Sequence, residues 1–191
     1  MGAAAGCPVA RVAGWGRVVG LQVRLVCRFA DTPGRPVTGT DTLRLGGREI
    51  IIFHPGDAHS PGDLMIWLPG ERVLFAGDIL VADGVPMIVD GSSPAMLHAL
   101  DLIDSLHPAV IVPGHGAIPR DPSVLVAETR RYFEALQVTM RREVADGHSM
   151  TKALASLPPA DAGQPVTLNS RRRRNAVRVY LEMEKASMGL D

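Results

Sequence analysis

Four short apolar runs, Ile50-Ile51-Ile52-Phe53, Leu64-Met65-Ile66-Trp67-Leu68, Val73-Leu74-Phe75-Ala76 and Ala109-Val110-Ile111-Val112, constrain this chain more than any other feature. Each has the length of a strand rather than a helix, and each is closed by glycine, proline or a polar residue. Thr42-Leu43-Arg44-Leu45 and the stretch from Arg48 to His54 flank Gly46-Gly47, a two-residue hairpin turn in which glycine supplies the positive φ. Leu64 to Leu68 and Val73 to Phe75, either side of Pro69-Gly70-Glu71-Arg72, predict a second hairpin ending at Gly77-Asp78. Upstream, Leu21, Val23, Leu25, Cys27 and Phe29 alternate with Gln22, Arg24 and Arg28, which predicts one further half-buried strand.

Helices follow. Ser93 with Pro94 reads as an N-cap and first-turn pair, opening a helix through about Leu106 whose apolar stripe is Met96, Leu97, Leu100, Ile103 and Leu106. Asp121-Pro122 caps a long helix to about Asp146, with Leu125, Tyr132, Leu136, Met140 and Val144 on one face and Gly147 ending it. A shorter helix runs from Met150 to Leu157, and a last one from about Asn169 to Lys185. Strands followed by helices predict an α/β fold in which helices cover a sheet.

With 191 residues, 46% of them hydrophobic, the chain can bury a substantial core as a soluble globular protein. No uncharged apolar stretch reaches the roughly 18 residues of a membrane span. Cys7 and Cys27 form neither a Cys-x-x-Cys pair nor a disulfide framework, and no signal peptide is evident, so reduced thiols and a cytoplasmic location are expected. The formal net charge of zero hides a division: residues 1–40 carry +4, residues 41–147 carry −7, and residues 148–191 carry +3. The acidic middle also holds five of the six histidines, so the ligand types of hard and borderline metals are concentrated there.

Three polar residues in that segment stand at strand ends or in glycine-rich turns: His59 in Asp57-Ala58-His59-Ser60-Pro61-Gly62-Asp63, Asp78 in Phe75-Ala76-Gly77-Asp78, and His115 in Pro113-Gly114-His115-Gly116. Taken singly, each has an ordinary explanation, a loop histidine or a turn-forming aspartate. Together, two imidazoles and a carboxylate converging on one sheet edge are the donors of a catalytic zinc, with positions left open for a water acidified toward neutral pH. His54 before Pro55 reads as structural, and His98, His107 and His148 as solvent-facing. Arg171-Arg172-Arg173-Arg174 with Arg178 invites a nucleic-acid reading, but only Arg171, Arg174 and Arg178 share a helix face and Tyr180 is the sole aromatic nearby. A solvated helix face is the expectation, and nucleic acid is not an expected partner.

From about residue 36 to 150 the chain resembles the second half of a metallo-β-lactamase-fold hydrolase. The resemblance rests on His59-Ser60-Pro61-Gly62-Asp63, Phe75-Ala76-Gly77-Asp78 and Pro113-Gly114-His115-Gly116, with ligand separations of 19 and 37 residues. Asn175-Ala176-Val177-Arg178-Val179-Tyr180-Leu181-Glu182 is similar to the closing helix of a bacterial branch of these enzymes. The resemblance implies an α/β metallo-β-lactamase-like sandwich, helices on β-sheet layers, incomplete at its N-terminus. It implies an atypical segment over 1–35, the main domain over 36–160, and its C-terminal helix over 161–191. It further implies one or two zinc ions, His59 on the first, Asp78 bridging and His115 on the second, and a small-molecule ester, thioester or amide as substrate.

One departure matters. The family's leading His-x-His-x-Asp-His motif has no counterpart, because no histidine precedes His54. Each metal position then keeps one His and a share of Asp78, where a catalytic zinc normally has three protein ligands, unless one ion sits between and uses all three residues. A chain with residues 1–35 in place of that half, through truncation, frameshift or a misplaced start, is expected to leave an apolar sheet face for a second copy to cover as a homodimer. The alternative to a zinc hydrolase is a non-catalytic scaffold or interaction domain of the same fold.

Overall fold

The hairpin signals fold as hairpins. In the computed structural model, which describes residues 37–158 and 166–190, β1 (Thr40–Leu45) and β2 (Arg48–Phe53) pair antiparallel across Gly46-Gly47, both with positive φ. β2 pairs antiparallel with β3 (Met65–Leu68), and β3 with β4 (Val73–Val81). After helix α1 (Ser93–Leu106) the chain returns as β5 (Val110–His115), parallel to β4, giving a mixed five-stranded sheet in chain order. Helices α2 (Pro122–Ala145), α3 (Met150–Ala155) and α4 (Val166–Ser187) follow. The expected strand over 21–29 lies outside the described residues, as do Cys7 and Cys27.

The strand period sorts side chains into two faces. Ile51, Trp67, Leu74 and Ile111 lie in one register row and Phe53 pairs with Met65 in the next. These point into the core, against Met96, Ala99, Leu100 and Ile103 of α1. α1 and α2 lie against β4, and α2 packs on α1 and α4. The other face carries the row Ile52, Ile66, Phe75 and Val112, with Ile66 37% and Phe75 41% exposed. Apolar residues on both faces are the pattern of a sheet covered on both sides.

Three details differ from the sequence reading. The α1 cap is Ser92, whose side chain accepts from the Ala95 amide; Ser93 is the first helical residue and is fully buried. The buried face of α2 is Leu125, Val126, Thr129, Phe133, Leu136 and Met140, while Tyr132 and Val144 only flank the core. His148 is half-buried rather than solvent-facing: its Nδ1 lies 2.8 Å from the Glu143 carboxylate and its carbonyl accepts from the Tyr180 hydroxyl. His98 and His107 are exposed as expected. Among the described residues no helix is long and apolar enough to cross a membrane.

Ser93 explains why α4 docks where it does. Its amide donates to Glu182 at 3.1 Å, its hydroxyl donates to the same carboxylate, and that hydroxyl accepts from Gln137. Burial pushes the Glu182 carboxyl above its ordinary value, outweighing the Ser93 hydrogen bonds and the Arg178 charge that pull it down. A carboxyl raised on folding contributes most below its unfolded value of 4.5 and loses that contribution as pH rises through the raised value. Glu182→Gln removes the titration, so the parent is expected to gain stability over this variant as pH falls from about 7 toward 4.5, measured as the difference in urea midpoints.

Candidate functional site

The site forms where β4 and β5 fall out of step. Val73, Leu74 and Phe75 pair in regular register with Val110, Ile111 and Val112, but Gly77 then pairs with Pro113 and Val81 with His115. β4 therefore spends more residues than β5 over the same length, and the surplus is bulged out around Asp78. Gly77 permits this with φ of 54°. Asp78 thus lies inside the longer β4 rather than beyond a strand end, and His115 is the last residue of β5 rather than part of the turn after it. A Cβ on Gly114 would stand 2.2 Å from Asp78 Oδ1 and 2.7 Å from the Gly77 carbonyl, so only glycine lets β5 approach this closely.

His59 reaches the same carboxylate from the loop between β2 and β3. That loop is closed by Asp63, whose side chain accepts from the His59 amide at 2.6 Å, the Ser60 amide at 3.1 Å and the Ser60 hydroxyl at 2.8 Å. His54 Nδ1 donates to the Asp63 carbonyl, which makes His54 structural, as its sequence context indicated. The His59 ring places Nδ1 2.6 Å from the Met87 carbonyl. A carbonyl only accepts, so Nδ1 carries a proton and Nε2 is the nitrogen turned toward the site.

The three residues singled out in the sequence meet at Asp78. His59 Nε2 is 3.6 Å from Asp78 Oδ2, and His115 Nε2 is 3.3 Å from Asp78 Oδ1. His59 is the more enclosed, its side chain 19% exposed against 58% for His115. A pocket of about 240 Å³ opens between His59, Ser60, Asp63, Leu64, Gly77 and Asp78. That is below the ~300–1,000 Å³ typical of sites enclosing a drug-sized molecule.

Donors about 2.0–2.2 Å from a tetrahedral zinc lie roughly 3.3–3.6 Å apart, so each His–Asp78 pair has the separation of two ligands of one ion. The types and separations of donors fit zinc; their number does not. Among the described residues no three His, Cys, Asp or Glu side chains come together so as to hold one ion. The arrangement in which a single metal is shared by His59, Asp78 and His115 is therefore not formed: the imidazoles face different oxygens of the carboxylate.

Sequence reasoning missed the supports of this site. Asp63 stood inside the His59 motif without a role, and the segment over 86–91 carried no assignment. Asn175 was hidden behind the arginine run, although a polar residue in helical step with Ala176, Val179 and Tyr180, all buried, was a signal available in the sequence. The arginine face itself is not simply solvated: Arg171 pairs with Asp83 at 3.3 Å, Arg174 lies 4.0 Å from the Met87 sulfur, and Arg178 donates to the Asp90 carbonyl.

Comparison with known proteins places the chain in a family. The sequence profile of the metallo-beta-lactamase superfamily matches residues 4–115, a span that includes His59, Asp78 and His115. The chain belongs to that superfamily. It is 31% identical to a metallo-beta-lactamase type 2 from Bacteroides fragilis, over 46% of this chain and 39% of that protein. It is 34% identical to a hydroxyacylglutathione hydrolase from Brucella ovis, over 40% of this chain and 30% of the relative. A solved metallo-beta-lactamase family protein from Thermus thermophilus shares the fold at a TM-score of 0.58 and 20% identity, over 81% of this chain and 49% of that one. The chain thus spans less than half the length of each.

Gly114→Ala tests the close approach on which the site depends. It is expected to destabilise the protein by about 1–3 kcal/mol in urea unfolding and to shift the His115 ring resonances, because Asp78 and the Gly77 backbone must both move; unchanged stability would show that β4 and β5 have room to spare.

Proposed function

We propose that the chain works as a zinc-dependent hydrolase of its superfamily on a small-molecule ester, thioester or amide, with His59, Asp78 and His115 among the metal ligands. The observation that carries this reading is that two imidazole Nε2 atoms face the two oxygens of one carboxylate at the edge of a sheet. Two relatives bear the names of hydrolases. Zinc, when bound, supplies Lewis acidity and acidifies a water. The chain's own residues place these three side chains: Asp63 fixes the His59 loop, the Met87 carbonyl fixes the His59 ring, and Gly114 lets His115 close on Asp78.

A second reading is a scaffold of the same fold without catalysis. It is favoured by the absence, among the described residues, of any three donors that hold one ion. Zinc titration of the 191-residue chain by calorimetry, beside His59→Ala and Asp78→Ala, separates the two. The hydrolase reading expects the parent to bind zinc and each variant to bind at least about tenfold more weakly, since two donors per ion leave nothing to spare. It also expects zinc-dependent hydrolysis of simple esters or thioesters that both variants lose. A parent that binds no zinc at neutral pH leaves the scaffold.

A further inference from the structure

We infer that Asn175 on α4 is a positioning residue for the candidate site, setting which nitrogen of His59 carries the proton by holding the segment over 86–91 in place. Asn175 is fully buried. Its Nδ2 donates to the Pro86 carbonyl at 2.8 Å and to the Tyr132 hydroxyl at 3.1 Å, and its Oδ1 accepts from the Ile88 amide at 2.9 Å. A carbonyl on one side and an amide on the other leave the side-chain amide only one orientation that satisfies both. Burial pushes the Tyr132 phenol up to about 12, so at neutral pH its oxygen is a neutral acceptor for Nδ2.

Pro86 and Ile88 flank Met87, whose carbonyl receives the His59 Nδ1 proton. The same segment also grips the His59 backbone: the amides of Val89, Asp90 and Gly91 donate to the His59 carbonyl at 2.9, 3.3 and 3.3 Å. Both the ring and the main chain of His59 therefore hang on one strap, and Asn175 is the buried side chain that bonds to it on both sides of Met87. Arg178 also bonds to the strap from the same helix, through the Asp90 carbonyl, and Arg171 pairs with Asp83 just before it, but both are partly solvent-accessible and contribute less. Without Asn175 the Pro86 carbonyl and the Ile88 amide lose their partners, the cost of leaving them buried falls on the strap, and the Met87 carbonyl is free to turn. The Nδ1–H form would then lose its enforcement, and Nε2, the atom facing Asp78, would carry the proton part of the time.

The importance of this for metal binding rests on the reading of His59 as a ligand; the tautomer itself does not. The test is a long-range proton–nitrogen correlation spectrum of the chelator-treated, nitrogen-15-labelled chain, at a pH where His59 is neutral. The parent is expected to show the Nδ1–H pattern. Asn175→Leu is expected to lower the ratio of Nδ1–H to Nε2–H by about three- to tenfold, the range that the loss of one hydrogen bond's net worth produces. Asn175→Asp keeps an acceptor for the Ile88 amide but sets a carboxylate oxygen against the Pro86 carbonyl, so it too is expected to lower the ratio, and it carries the comparison if Asn175→Leu does not fold. Val179→Ala, one turn further along the buried face of α4, lowers stability without removing a hydrogen bond to the strap and is expected to leave the ratio unchanged. A folded Asn175→Leu or Asn175→Asp with the parental ratio overturns the inference, as does an equal shift in Val179→Ala. A chain that shows the shift yet binds no zinc keeps the positioning role and removes the metal reading instead.

Discussion

The mismatch between β4 and β5 is the constraint on which the candidate site depends. Parallel strands in perfect register would carry Asp78 along the ladder with its neighbours, its carboxylate tied to the pleat. Because β4 takes nine residues where β5 takes six, the surplus must leave the ladder, and it leaves at Gly77 beside the glycine of β5 that has no Cβ to resist it. One backbone irregularity thus does two things at once. It turns a carboxylate out of a buried strand, and it brings the end of the neighbouring strand, with its imidazole, against that carboxylate.

The second imidazole arrives by a different logic. His59 sits in a loop, where side chains ordinarily keep their rotamer freedom. Here that freedom is removed from both sides: Asp63 closes the loop from within, and the Met87 carbonyl orients the ring from without. The contrast with His115, mostly exposed and in contact with Asp78, is instructive. One imidazole is fixed from both sides, and the other is left largely exposed.

Much of this was legible in the sequence, and the reasons differ by element. Hairpins were readable because Gly46-Gly47 and Pro69-Gly70 are local signals that need no tertiary context. The α2 start was readable because Asp121 caps it through Ser123, two residues away. The α1 start was misplaced by one residue because Ser92 and Ser93 are adjacent and equivalent as caps; only the distant Glu182 and Gln137 decide that Ser93 is buried. The three site residues were visible through their glycines, whereas the bulge that places Asp78 was not, since register is a property of two strands. His148, read as solvent-facing, and Asn175, read only as the head of a closing helix, were under-read for a common reason: what defines each is a partner far along the chain, Tyr180 for one and the Pro86–Ile88 backbone for the other.

The bond between Asn175 and the Ile88 amide joins residues 87 positions apart, which gives the site a place in time as well as in space. At ribosomal rates of roughly 5–20 residues per second, the strap is synthesised about 4–17 s before the helix that locks it. During that interval the five described strands are already made, since all precede α2, while the helix that carries Asn175 is not. α4, the most C-terminal of the described helices, bonds back to the strap that grips the first loop of the site.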